Sequence, residues 1–242
     1  MTDLSVNLNK IALLRNSRGR DYPNVVDFAQ RFIALGVQSI TIHPRPDERH
    51  IKRQDAYDLA ACLKSFPDVE LNIEGYPSED FLRLVEETRP DQCTLVPDAE
   101  NQLTSDHGWN FHEQLDFVSD VVSQINSWDV RSAVFLDPDL SQVEGAAASG
   151  SQRIELYTES YAQAWGSSHQ ADCLAAYKAV ADKARSLGLA VNAGHDLDLA
   201  NLADFLAIGN VLEVSIGHAL TVECLETGMA DVIKRYLDIC RG

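Results

Sequence analysis

Eight short apolar runs alternate with longer amphipathic segments from one end of this chain to the other. The runs lie at 4–9, 39–43, 69–74, 92–96, 131–137, 153–157, 189–193 and 212–216. Helical patterns fill the gaps at 25–35, 55–64, 79–87, 114–126, 171–187 and 199–206, and a last helix is predicted from about 222 to 239. Unbroken strand–helix alternation implies a parallel sheet covered by helices, because parallel strands need a crossover of a dozen or more residues. Eight such units in 242 residues match the size of a closed (β/α)8 barrel. An open doubly wound sheet is the competing fold, but it would usually carry a glycine-rich turn after its first strand. Here that strand runs into Asn7-Leu8-Asn9-Lys10. The expected fold is therefore α/β, a (β/α)8 TIM barrel forming a single domain over residues 1–242.

Turn signals agree with this spacing. Gly36, Gly150 and Gly188 follow predicted helix ends, where a left-handed residue closes the last turn. Ser78 stands immediately before a helical pattern as an N-cap.

Charge and cysteine content narrow the function classes. Twenty basic residues against 37 acidic ones give a net charge of −17, which disfavours nucleic acid and anionic membranes as partners. Five widely spaced cysteines without a C-x-x-C pair argue against a disulfide framework or structural zinc. No apolar run reaches membrane-spanning length and the first residues do not read as a signal peptide, so a cytoplasmic location is expected. No metal-binding motif is present, and neither a metal nor a cofactor is expected.

In a parallel barrel the strand interiors are expected to be apolar, so polar residues at the carboxyl ends are the informative ones. Strand 1 is read as ending in Asn7 and Asn9 with Lys10 behind them. Strand 2 ends in His43, Pro44 and Arg45, strand 3 in Asn72 and Glu74, and strand 5 in Asp137. Strand 6 carries Glu155, strand 7 leads through Asn192 to Gly194 and His195, and strand 8 through Ser215 to Gly217 and His218. Barrel closure would gather His43, His195 and His218 around one mouth, and imidazoles are suited to proton transfer near neutral pH. Buried Glu74 and Glu155 would have raised pKa values suited to acid–base work. Structural ion pairs with Arg45 or Arg153 are the alternative. Arginines in the loops after strands 1 and 2 could grip phosphate, although Arg15, Arg20 and Arg49 read first as solvated or surface-paired charge. Gly217-His218 before the last helix offers free N–H groups to a phosphate.

These residues carry a resemblance. The segments Val6–Gly19, Ile40–Arg45, Arg49–Ile51, Asn72–Glu74, Leu95–Pro97, Val191–His195 and Ile216–Ala219, in this order, resemble the pyridoxine 5′-phosphate synthase family over essentially the whole chain. The resemblance implies a transferase of vitamin B6 biosynthesis. It condenses 3-amino-2-oxopropyl phosphate with 1-deoxy-D-xylulose 5-phosphate to pyridoxine 5′-phosphate, phosphate and water. It implies His43 and Glu74 as proton acceptors, His195 as proton donor and Glu155 as a stabiliser of the transition state. Arg18 would bind the aminoketone phosphate, and Asn7, Arg45, His50, Thr104, Gly217 and His218 would bind substrate. The polar segment 98–108 would close as a lid, and the molecule would be a homo-octamer. The chain departs from the family pattern at Asn9, Lys10 and Asp196, which are kept as substrate-binding positions. Another phosphosugar lyase or isomerase on the same barrel, or a phosphate-ligand-binding barrel without catalysis, are the alternatives.

Overall fold

Eight parallel strands close into a barrel in sequence order, with β8 pairing back onto β1. The closed order excludes the open sheet. The computed structural model describes residues 1–98, 102 and 104–242. The strands are β1 (Asp3–Asn7), β2 (Ser39–Ile42), β3 (Glu70–Gly75), β4 (Gln92–Leu95), β5 (Arg131–Leu136), β6 (Arg153–Tyr157), β7 (Ala190–Gly194) and β8 (Val211–Ile216). The described helices are α1 (Asn9–Asn16), α2 (Val25–Ala34), α3 (Arg53–Leu63), α4 (Glu79–Thr88), α5 (Phe111–Asn126) and α6 (Leu140–Ala148), followed by α7 (Glu159–Ala164), α8 (Gln170–Ser186), α9 (Leu202–Leu206), α10 (His218–Thr227) and α11 (Met229–Arg241).

Each strand lies within two residues of its predicted position. Gly36, Gly150 and Gly188 adopt φ of +98°, +80° and +87° at the ends of α2, α6 and α8. The Ser78 hydroxyl accepts the Phe81 N–H at 3.2 Å and caps α4.

Three features differ from the sequence reading. Strand 1 stops at Asn7, and Asn9 and Lys10 begin α1 instead of ending the strand. The Asn7 side-chain oxygen accepts the Asn9 N–H at 3.0 Å, which turns the chain out of the sheet. The predicted last helix is two, broken at Gly228, whose φ of +101° ends α10 before the strongly amphipathic α11 starts. Helices α6 and α7 add to the prediction. The first is an alanine-rich segment with a weak apolar stripe, and the second has only six residues.

The strand interiors are not apolar. Leu4, Val6, Ile40, Ile42, Leu71 and Ile73 alternate with polar residues, and all six are buried in the main apolar cluster together with the helices. The residues between them point into the barrel and bond to one another. Ser5 and Thr41 hydroxyls lie 2.6 Å apart, Asn72 donates to Thr41 at 3.3 Å, and Thr94 donates to Asn72 at 3.0 Å. Each of these polar side chains is buried. A buried polar group is tolerated when it is hydrogen-bonded, and a network satisfies many groups at once. At the opposite end from the strand carboxyl termini, Arg131 is bonded to Gln92 at 3.0 Å and to Glu70 at 3.1 Å.

Candidate active site

A cavity of about 520 Å3 opens at the carboxyl ends of the strands. The head of α1 is tied to the end of β2 there, because the Asn9 side-chain oxygen accepts the His43 N–H at 3.0 Å. His43 then stands with Nδ1 3.7 Å from a Glu74 carboxylate oxygen and Nε2 3.9 Å from Asp98. Burial holds His43 well below the usual imidazole range, and the Arg45 charge lowers it further. Burial pushes Glu74 well up, and the neighbouring Glu155, Asp98 and Glu213 carboxylates add to that. Both shifts favour uncharged forms, so His43 faces the cavity as a neutral base.

Arg45 is buried and fully engaged. It donates to Asp98 at 2.6 Å and to the Gln102 carbonyl at 3.1 Å. The Ser105 hydroxyl donates to the same Asp98 oxygen at 2.8 Å. Arg45 thus fastens the segment after β4 beside the cavity, where Thr104 and Ser105 line the wall. Of the predicted lid 98–108, residues 99–101 and 103 lie outside the described residues. His50 lines the same side. Its Nδ1 accepts the Ile51 N–H at 2.9 Å, which places the hydrogen of the neutral ring on Nε2. Burial, with Arg45, Lys10 and Arg49 nearby, lowers its pKa to about 4.

Across the mouth, β7 ends in a sharp turn. His195 and Asp196 both have positive φ, +82° and +55°, which is uncommon for residues other than glycine. The Thr158 hydroxyl donates to the Gly194 carbonyl at 2.6 Å and also to that of His195, which holds the turn. The His195 ring packs against Phe135 and Tyr157, with centroids 5.3 and 5.1 Å away. Burial lowers its pKa to about 4, opposed by the Glu159 charge. Beside it, Gly194 makes room for a carboxylate: a Cβ there would meet Glu155 Oε1 at 2.6 Å. Glu155 has no cation partner among the described residues. Arg45 is bound to Asp98, and Arg153 donates to Asn192 at 3.2 Å. Glu155 Oε2 is buried without a hydrogen bond, and burial lifts the pKa to about 8. The alternative of a structural ion pair at Glu155 therefore does not describe this residue.

On the rim, Gly217 packs against Asn7, where a Cβ would come within 3.0 Å of Asn7 Cβ. The head of α10 that follows has no side-chain cap, and its N-cap Gly217 and first residues His218 and Ala219 line the cavity. Lys10, Arg49 and Asp196 line the same mouth.

The structure therefore gathers His43, Glu74, Glu155, His195, Asn7, Asn9, Lys10, Arg45, His50, Thr104, Asp196, Gly217 and His218 around one cavity. Arg18 is not among them; it is exposed in the turn after α1. Arg15, read first as surface charge, is instead buried and bonded to both Asp55 oxygens, the longer bond at 2.8 Å. Sequence reasoning missed Asp98, Tyr157 and Glu159. Tyr157 shares the inward register of Glu155 and could have been found by alternation. Glu159, which accepts the Tyr157 O–H, carries no such signal. Among the described residues no cluster of three or more His, Cys, Asp or Glu side chains could hold a metal ion, and no helix is long and apolar enough to cross a membrane.

Comparison with solved structures supports the architecture alone. The chain superposes on KGPDC from Streptococcus mutans with a TM-score of 0.68 at 13% identity, covering 100% of this chain and 98% of that one. It superposes on phosphoribosyl anthranilate isomerase from Thermotoga maritima with a TM-score of 0.63 at 14% identity and full coverage of both. Sequence relatives are much nearer. A pyridoxine 5′-phosphate synthase of Bacteroides thetaiotaomicron is 49% identical over 242 residues, the whole of both chains. That of Agrobacterium fabrum is 48% identical, covering 98% of this chain and 96% of its own. The model of the family described as pyridoxal phosphate biosynthesis protein PdxJ matches residues 4–242, and this chain belongs to that family.

Proposed function

We propose that the chain is a pyridoxine 5′-phosphate synthase, condensing 3-amino-2-oxopropyl phosphate with 1-deoxy-D-xylulose 5-phosphate to pyridoxine 5′-phosphate, phosphate and water. One observation carries the reading: His43, Glu74, Glu155 and His195, all shifted towards their uncharged forms, face one cavity whose rim holds Lys10, Arg49 and an uncapped helix N-terminus. The cavity volume of about 520 Å3 suits two small phosphorylated molecules.

The condensation joins an amine to a ketone, expels water and phosphate, closes a ring and removes protons from carbon. Each step needs a proton taken from one atom and given to another. Neutral His43, backed by Glu74 at 3.7 Å, takes protons on one side of the cavity. His195 donates from the other side as a neutral imidazole held by Phe135 and Tyr157. Glu155, as an uncharged acid, donates a hydrogen bond to oxygen that gains negative charge. The α10 head, through its free N–H groups, and the Lys10 ammonium hold phosphate at the rim of an otherwise acidic chain. Asn9 orients His43 through its backbone, and Thr104 and His50 close the wall around the ligand. Arg18 also belongs to this assignment as a phosphate ligand, although it is outside the cavity of its own chain.

A cytoplasmic homo-octamer belongs to the same reading. Exposed Leu14 on α1 and Leu225 on the adjoining α10 supply apolar surface for another copy. The test is to size the purified protein by sedimentation and then mix it with both phosphorylated substrates. Pyridoxine 5′-phosphate and inorganic phosphate should appear in equal amounts. A folded protein that yields neither from authentic substrates would overturn the assignment.

A further inference from the structure

His195 sits where backbone and ring both need holding. Its φ of +82° lies in the left-handed region, which a residue with a side chain adopts only when its surroundings enforce it. Three consecutive residues where β6 passes into α7 do so: Tyr157, Thr158 and Glu159. Thr158 grips the backbone. Its N–H donates to the Gly194 carbonyl at 2.9 Å, and its hydroxyl donates to the Gly194 and His195 carbonyls. Tyr157 grips the ring. The two rings meet at 79° with centroids 5.1 Å apart, and Phe135 packs on both, 5.3 Å from each. No hydrogen bond from a described residue reaches the His195 imidazole, so ring contacts set its plane.

Glu159 fixes Tyr157 in turn. The phenol donates its hydrogen to one Glu159 oxygen, and Gln163, one turn along α7, donates to the other at 2.9 Å. Both carboxylate oxygens are thus engaged by this chain. Glu159 also lines the cavity, where an anion repels the phosphates the site is read to take, so it needs another reason to be there. The backbone at the same point is anchored from behind. Tyr177 on α8 donates its O–H to the Tyr157 carbonyl at 2.5 Å, and its oxygen lies 2.8 Å from the Ser160 hydroxyl. A phenol tied at its tip and packed along its ring has one orientation, and it passes that orientation to the imidazole against it.

Resting on the proposed synthase reading, we propose that Tyr157 and Glu159 are positioning residues for His195. The Glu159 carboxylate tethers the Tyr157 phenol, and the tethered ring holds the imidazole at the angle from which it gives its proton. Glu159 acts through an acceptor oxygen and not through its charge. Neither residue exchanges a proton with substrate. Misplacing a reacting group by about 1 Å can cost about 100-fold in rate, so a loosened support slows the reaction even though the support itself does not react.

Variants at both ends of the tether test this. Tyr157→Phe keeps the ring and removes only the tether, and Glu159→Ala removes it from the other end. Each should lower kcat about 10- to 100-fold, with KM for both phosphorylated substrates within a factor of about two of wild type. Glu159→Gln keeps an acceptor oxygen and should recover most of kcat. The double variant Tyr157→Phe/Glu159→Ala should be no slower than the slower single variant, because both break the same tether. Ligand-free crystals of Tyr157→Phe should show the His195 imidazole in more than one orientation. A loss confined to KM or to stability, a Glu159→Gln enzyme as slow as Glu159→Ala, losses that multiply in the double variant, or a single wild-type orientation of His195 in those crystals would each overturn the inference. A wild-type protein that makes no product would instead overturn the synthase reading, and the crystals would still decide whether the tether holds His195.

Discussion

The two faces of the barrel wall are built from the same strands and obey opposite rules. The outer face carries residues such as Ile40, Ile73 and Ile154, wholly buried against the helices with no polar partner to satisfy. The inner face carries Thr41, Asn72, Thr94, Asn192 and Glu213, buried just as deeply but hydrogen-bonded to one another or to neighbouring strands, with the carboxyl of Glu155 buried among them. Apolar burial contributes stability at roughly 25 cal/mol per Å2, whereas buried carboxylates cost stability and repay it only in chemistry. The contrast teaches that stability and function are separated by a single residue's step along each strand.

Substitutions on the two faces should therefore fail differently. The largest effect is expected inside. Glu74→Gln should lower kcat by about 100- to 10,000-fold, the range for loss of a general acid–base group, with circular dichroism close to wild type. A variant that retains turnover would remove Glu74 from the proton-transfer set. Next comes the outer face: Leu59→Ala on α3, fully buried in the apolar shell, should cost about 2–5 kcal/mol of unfolding free energy in urea. Its kcat per folded molecule should stay within a factor of about two, because the side chain has no contact with the cavity. A large loss of kcat in the folded variant would mean that the shell and the interior are coupled.

The smallest effect concerns pH and stability. The pKa of Glu155 is raised in the folded chain to about 8. A raised carboxyl contributes its full stability below the unfolded value of about 4.3 and loses it as pH rises through the folded value. Glu155→Gln carries no such penalty. Its thermal midpoint should exceed that of wild type by several degrees near pH 8, with the gap closing towards pH 5. The buried histidines act in the opposite sense. His50 and His195, lowered to about 4, take stability away as pH falls from about 6.5 towards 4. Both proteins should therefore lose stability in acid to the same degree. A gap that is constant with pH would show that Glu155 is ionised at neutral pH.

Much of the site was legible because strand ends in a parallel barrel converge whatever the details of packing. His43, Glu74, Glu155, His195 and His218 could be placed at one mouth from spacing alone. The role of Asn9 could not. It was read as a strand-end residue, but the Asn7 turn puts it at the head of α1, where its side chain steers the His43 backbone. Arg15 and Arg45 also mislead as sequence, since a loop arginine reads as solvated or phosphate-binding. Arg15 is locked to Asp55, and Arg45 is committed to Asp98, a carboxylate 53 positions away. Sequence has no local signal for a partner that arrives only when the barrel closes.

The sequence by itself determined the strand count, the strand–helix order, the helix caps at Gly36, Gly150, Gly188 and Ser78, and the family. These follow from periodicity and local backbone preference, which short stretches of chain express on their own. The tertiary structure alone decided that the barrel interior is polar, that Glu155 has no cation among the described residues, and that Gly194 leaves space for its carboxyl. Those are contacts between strands far apart in sequence, fixed by barrel shear and burial. They set the protonation states on which the chemistry depends.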